Sequence, residues 1–182
     1  MILPDYFRPN LDLVLCGSAP GPVSAARGHY YANPGNRFWR TLFEVGLTDR
    51  LHRPEDDHLL PEIGIGLTDI VKLKSGLDRD LAPADYDPEG LAEKIARFAP
   101  RVLAFDSLNA GRRALGRRAG LGLQNEKIGG AEVFILPSTS GLACGHWTIA
   151  PWQDLARHIG RGPQVEGDKA GVEARRRAPA TF

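Results

Sequence analysis

The chain has 182 residues, 42% of them apolar and 25% charged, with a formal net charge of +1. That length suits one domain with a sizeable core, and the near-neutral balance excludes a global basic field for gripping nucleic acid while leaving room for a local patch. The longest apolar runs are strand-sized, which excludes a membrane-spanning helix; Met1-Ile2-Leu3-Pro4-Asp5 lacks the basic and apolar regions of a signal peptide; and two cysteines, Cys16 and Cys144, fit a reducing cytosol and are too few for a four-thiolate zinc or iron–sulfur site.

Leu11–Cys16 is an unbroken apolar run and reads as a buried strand. Behind it, Gly17-Ser18-Ala19-Pro20-Gly21-Pro22-Val23-Ser24 reads as a Gly/Pro-rich loop, followed by His29-Tyr30-Tyr31 and an Asn-rich turn. In open α/β sheets ligands bind at the C-terminal ends of strands. Adjacent tyrosines add a flat apolar face with polar tips, suited to a planar heterocycle such as a nucleobase. Asn36–Val45 reads as a helix with Phe38, Leu42 and Val45 on one face, Asn36 as N-cap and Gly46 as its stop. Pro54–Leu60 reads as a short helix, and Ile63–Ile70 as a short strand or loop ending at Thr68-Asp69. Lys72–Asp87 reads as loop. Asp87-Pro88 opens a helix to Ala99 with Leu91, Ile95 and Phe98 inward. Val102–Phe105 is a second buried strand, Ser107–Arg118 a helix carrying Arg112, Arg113, Arg117 and Arg118, Glu132–Leu136 a third strand and Thr148–Ile159 the last helix.

Strands alternating with helices predict an α/β fold, a three-layer α/β/α sandwich around a short, mostly parallel sheet. One domain is expected over residues 1–160, with a polar, Arg-rich tail over 161–182. The topology places the loops after the first and third strands on one edge. No Gly-x-Gly-x-x-Gly follows Cys16 and no Gly-Lys-Ser/Thr occurs, so nothing marks a dinucleotide site or a P-loop. No His/Cys/Asp spacing suits a metal, and no cofactor is expected.

Gly17 to Ser24, with Tyr30-Tyr31 and Asn36-Arg37-Phe38-Trp39 behind it, resembles the first motif of the uracil-DNA glycosylase superfamily: Gly-Ile-Asn-Pro-Gly-x-x-Ser, an aromatic, then Asn-Arg-Phe-Trp. Ser138-Thr139-Ser140-Gly141-Leu142-Ala143, after Phe134-Ile135-Leu136-Pro137, is similar to the second motif, Asn-Pro-Ser-Gly-Leu-Ser. Val45-Gly46-Leu47-Thr48-Asp49-Arg50 also looks like the family, and the mismatch-specific uracil/thymine branch is the nearest. The Tyr-Tyr-x-Asn-Pro-x-Asn-x-Phe-Trp run resembles the hypoxanthine-DNA glycosylase branch, where an asparagine matching Asn36 is catalytic. The resemblance implies the family's fold, duplex DNA containing uracil or a mismatched base as partner, a monomer, and flipping with hydrolytic excision of uracil or other deaminated or modified bases; the cytoplasmic expectation rests on the cysteines.

Two departures bear on that implication. The catalytic asparagine of the first motif falls on Ala19, and the asparagine opening the second falls on Ser138. Breaking a C1′–N bond builds oxocarbenium character on the sugar and negative charge on the base. A carboxylate near C1′ and donors near the base meet that need. Asp69, closing Gly64-Ile65-Gly66-Leu67-Thr68, is the first candidate, since a related branch that lacks the asparagine resembles this chain in a Gly-Leu-Thr-Asp context. Its bland alternative is a carboxylate bonded to loop or helix N–H groups. Asn36 is second, as a water-orienting amide or simply as a cap. The resemblance implies a base pocket of Ser18, Ala19, Gly21, Ser24 and Tyr31, with Tyr31 stacking on the base and backbone N–H groups from Gly21 to Ser24 receiving its carbonyls. Ser24 is equally read as bonded to local backbone. Ser138, Ser140, Gly141, Leu142 and Ala143 would face DNA, with Leu142 as the wedge that fills the gap behind a flipped nucleotide. Two other classes stay open: a non-catalytic damaged-DNA binding protein, supported by Ala19, and a nucleoside enzyme, which has no use for a wedge at Leu142.

Overall fold

The computed structural model describes residues 1–141 and 147–163. Five strands form one sheet: β1 (Leu13–Gly17), β2 (Ile65–Asp69), β3 (Val102–Phe105), β4 (Gly122–Ile128) and β5 (Ala131–Ile135), in the order β2-β1-β3-β5-β4. All neighbours are parallel except the β4–β5 hairpin. Among the described residues five α-helices accompany them: α1 (Pro22–Arg27), α2 (Phe38–Glu44), α3 (Pro88–Phe98), α4 (Leu108–Leu115) and α5 (Ala150–His158).

Side chains of a strand alternate between its two faces, and the core divides accordingly. Leu13, Leu15, Ile65, Leu67, Val102 and Ala104 pack with Phe38 and Leu42 of α2 and Trp152 and Leu155 of α5. Val14, Cys16, Leu103, Phe105, Val133 and Ile135 pack on the other face with Leu91 and Ile95 of α3 and Ala110 of α4. This is the three-layer sandwich that the alternating pattern predicts. Sequence and structure agree on the three long apolar strands and on α3, whose Asp87 side chain accepts from Gly90 N at 2.9 Å with Pro88 at the first turn. Ile63–Ile70 resolves into β2, and Pro54–Ile63 is a 3₁₀ segment.

Three elements differ from the sequence reading. The stretch after β1 is not all loop: Pro22 starts the six-residue α1, and Gly28 ends it at φ 74°. The element escapes periodicity because it buries only Ser24. β4 was not foreseen, because this edge strand exposes most of its residues and shows no apolar alternation. Its legible sign was Gly129-Gly130, both at positive φ, the pair that a tight hairpin favours. α4 stops at Leu115, before Gly116 at φ 100°, so Arg117 and Arg118 lie beyond the helix. Arg161, at the start of the expected tail, is bound into the fold: its guanidinium donates to Leu47 O at 2.9 Å, Asp12 Oδ2 at 2.8 Å and Ile63 O. Residues 164–182 lie outside the described residues.

Candidate active site

A cavity of about 720 Å³ opens at the C-terminal ends of the parallel strands. Ten of the twelve residues proposed from the sequence line it: Ser18, Ala19, Gly21, Ser24, Tyr31, Asn36, Asp69, Ser138, Ser140 and Gly141. The other two, Leu142 and Ala143, lie outside the described residues. The loops after β1 and β5 thus meet at one place. They also touch: a Cβ at Gly141 would stand 3.0 Å from Gly35 O, and Arg37 N donates to Thr139 O at 3.1 Å.

The walls show what each side chain is committed to. Asn36 Oδ1 accepts from Phe38 N at 2.9 Å, a turn bond just ahead of α2, while the residue faces the cavity; the N-cap is Arg37, one residue later than the sequence suggests. Ser24 Oγ accepts from Ala32 N at 3.0 Å, the local backbone role. Ser18 Oγ and Ser107 Oγ are 3.2 Å apart, and Ser138 Oγ accepts from Ser140 N at 3.3 Å. Pro22 carries no N–H, which leaves Gly21, Val23 and Ser24 as the backbone donors of that loop. Ala19 offers the cavity a methyl group.

Tyr31 sits at φ 53°, an uncommon conformation for an aromatic residue. The turn is held from several sides: Tyr30 N donates to the buried Asp57 Oδ2 at 3.0 Å, Tyr30 Oη to Pro4 O at 3.1 Å, and Trp39 Nε1 to Tyr30 O at 3.3 Å. One face of the Tyr31 ring is already stacked on Phe38, at 3.6 Å between centroids and 12° between planes. Only its other face is left for a ligand. The ring's hydroxyl points to the strand ends, where it is buried with no well-formed hydrogen bond among the described residues.

The floor is acidic. Asp69 ends β2, laterally paired with Gly17, and is 4% exposed; its Oδ2 has no hydrogen-bond partner among the described residues. Asp106 follows β3 and is 6% exposed. Sequence reading missed it, although an apolar strand ending in an acid, as in Thr68-Asp69, recurs at Phe105-Asp106. Burial pushes the Asp69 carboxyl up to about 7; the negative charges of Asp106 and Asp5 add to this and the Lys72 ammonium opposes it. Burial likewise raises Asp106 to about 7, with Asp78 adding and Tyr31 opposing. Behind Asp69, Asp5 takes hydrogen bonds from Thr68 Oγ1 at 2.6 Å, Lys72 Nζ at 2.7 Å and Lys94 Nζ at 2.6 Å. Those partners outweigh its burial and hold its carboxyl below the usual range. Asp78 and Arg79 stand at the rim. Among the described residues no three His, Cys, Asp or Glu side chains group as metal ligands, and no helix is long and apolar enough to cross a membrane.

A roomy pocket with a half-covered aromatic, backbone donors and buried acids of raised pKa has the make-up of a site that can hold a planar ligand and exchange protons with it. The family model of the uracil DNA glycosylase superfamily matches residues 4–156. The fold is similar to the solution NMR structure of a protein from Methanosarcina acetivorans, provisionally described as a uracil DNA glycosylase. The two are 25% identical, with a TM-score of 0.61, over 86% of this chain and 96% of that one.

Proposed function

Because the chain belongs to the uracil DNA glycosylase superfamily, we propose that it is a DNA glycosylase that hydrolytically excises uracil, and other deaminated or modified bases, from duplex DNA, with Asp69 in place of the missing motif-one asparagine. The observation that carries this reading is the Asp69 carboxylate. It is buried at the cavity floor, has one oxygen without a partner among the described residues, and is fixed by its strand end. In the ionised form it holds a water against C1′ and favours the developing sugar cation. The C1′–N bond breaks with its electron pair on the base, water delivers hydroxide to C1′, and its proton passes to Asp69 and from there to the departed base. The backbone N–H groups around Gly21 and Ser24 suit the charge that builds on the base. Nothing in this scheme needs a cofactor, and one protein copy suffices.

The test is a labelled duplex with a single G·U pair, incubated with protein and then cleaved at abasic sites by alkali. Wild type is expected to release uracil. Asp69→Asn is expected to fold normally and lose at least about a hundredfold in rate, the scale of a general base. A fully active Asp69→Asn would remove Asp69 from the reaction. A second reading, a protein that binds damaged DNA without chemistry, draws on Ala19, whose methyl lines the cavity where the family has its catalytic amide. Tight binding of the same duplex with no base release would favour it.

A further inference from the structure

Resting on that reading and going one residue beyond it, we propose that Asp106 is the second working carboxylate of the cavity: it keeps a proton while Asp69 is ionised and hydrogen-bonds the departing base.

The argument begins in the sheet. Gly17 is laterally paired with Asp69 on one side, and on the other Cys16 pairs with Phe105, so Asp106 stands next to Gly17 on β1's second flank. Asp106 N donates to Cys16 O at 3.1 Å, which continues the ladder one residue past β3. Laterally paired residues point to the same face. Both carboxylates and the missing side chain of Gly17 therefore share the α2 face, where Tyr31 lies. A Cβ at Gly17 would be 2.4 Å from Asp69 Oδ1, 3.4 Å from Tyr31 Oη and 3.7 Å from Asp106 Oδ1. The two acids and the phenol converge on the gap that the glycine leaves.

Two buried carboxylates facing one gap do not ionise together readily. The charges around them decide which one does. Asp69 has the Lys72 ammonium nearby, along with Asp5 and Tyr30. Asp106 faces the Tyr31 hydroxyl, whose hydrogen bond favours its anion, and the like charge of Asp78, and among the described residues no cation offsets its burial as Lys72 does for Asp69. The Cys16 thiol, on the opposite face of β1, is kept neutral by burial and by both acids. The anion therefore belongs on Asp69 and the proton on Asp106, and the raised pKa of both groups agrees with a pair that retains a proton near neutrality. In excision, Asp69 accepts the water proton. Asp106 keeps its own proton and uses it as a hydrogen bond to the base as the C1′–N electron pair moves there.

The isosteric variants separate the roles. Asp106→Asn keeps a donor at this position, and Asp106→Ala removes it. Single-turnover excision at pH 7 is expected to fall in Asp106→Asn by less than in Asp106→Ala, and to lose its decline at high pH. It is expected to fall more than tenfold in Asp106→Ala, with circular dichroism confirming the fold of each. Titration of ¹³C-carboxyl aspartate in the free wild-type protein should show one of the two carboxyls still protonated above pH 6. An Asp106→Asn as inactive as Asp69→Asn, an Asp106→Ala as fast as wild type, or two carboxyls ionised by pH 6 would each overturn the proposal. If the wild type released no base while the titration showed the retained proton, the excision reading would fall and the shared proton would stand as a property of the pair.

Discussion

A Cβ added to Gly17 would collide with Asp69 Oδ1 at 2.4 Å, and that oxygen belongs to a short side chain anchored by a paired strand. Gly17→Ala is therefore expected to move the carboxylate and cut base release at least tenfold with a modest loss of stability, read by excision rate beside thermal unfolding. The buried acids also bear on stability. Their carboxyls stand at about 7, against an ordinary 3.8 that the unfolded chain retains. Between about pH 4 and pH 7 the folded protein thus holds more protons than the unfolded one, so these groups lower stability as pH rises through that window and leave it level above. Below pH 4 both states are protonated and the cost vanishes. Asp106→Asn, which removes one of these charges, is expected to raise stability by a few kcal/mol at pH 8 and by little at pH 4. Thermal unfolding at the two pH values checks this, and equal effects at both would contradict it. A site that weakens its own fold at working pH fits the general opposition between function and stability.

At the scale of elements, α3 rests on its N-cap. Asp87→Ala removes the acceptor for Gly90 N and should cost about 1 kcal/mol, seen as a lower urea midpoint with unchanged base release. The same signal made α3 legible in the sequence, just as unbroken burial on both faces made β1 and β3 legible and burial of all but Glu132 made β5 legible. β4 and α1 were illegible for the converse reason: neither buries a stripe that could set a period. The site followed a similar rule. Residues in the two motif loops were found through their spacing and their resemblance. Asp106 was not, because it sits outside both loops and enters the cavity only through the β2-β1-β3 strand order, which brings together residues far apart in the chain. The cover on one side of Tyr31 was illegible for a related reason, since the Phe38 ring that supplies it comes from the following helix.

Across the whole molecule, the cavity draws on residues from Leu3 to Gly141, and the sheet is closed by contacts that span most of the chain. Arg161 is the farthest-reaching of the ties noted above, joining Asp12 at the foot of β1 with the Leu47 and Ile63 carbonyls. Arg161→Ala leaves those acceptors unpaired and is expected to lower stability by about 1–3 kcal/mol, measured as a shifted denaturant midpoint. Wild-type stability in that variant would make the tie ornamental.

That clasp also sets an order of events during synthesis. The interior strand β1 precedes its neighbour β3, the wall behind Ser138 and the Arg161 latch by many residues of synthesis. A nascent chain halted before Arg161 would hold both acids and the β1 glycine without the tie that joins Asp12 to the Leu47 and Ile63 carbonyls. Competence for chemistry should thus arrive abruptly, once Arg161 has emerged, rather than growing in step with chain length.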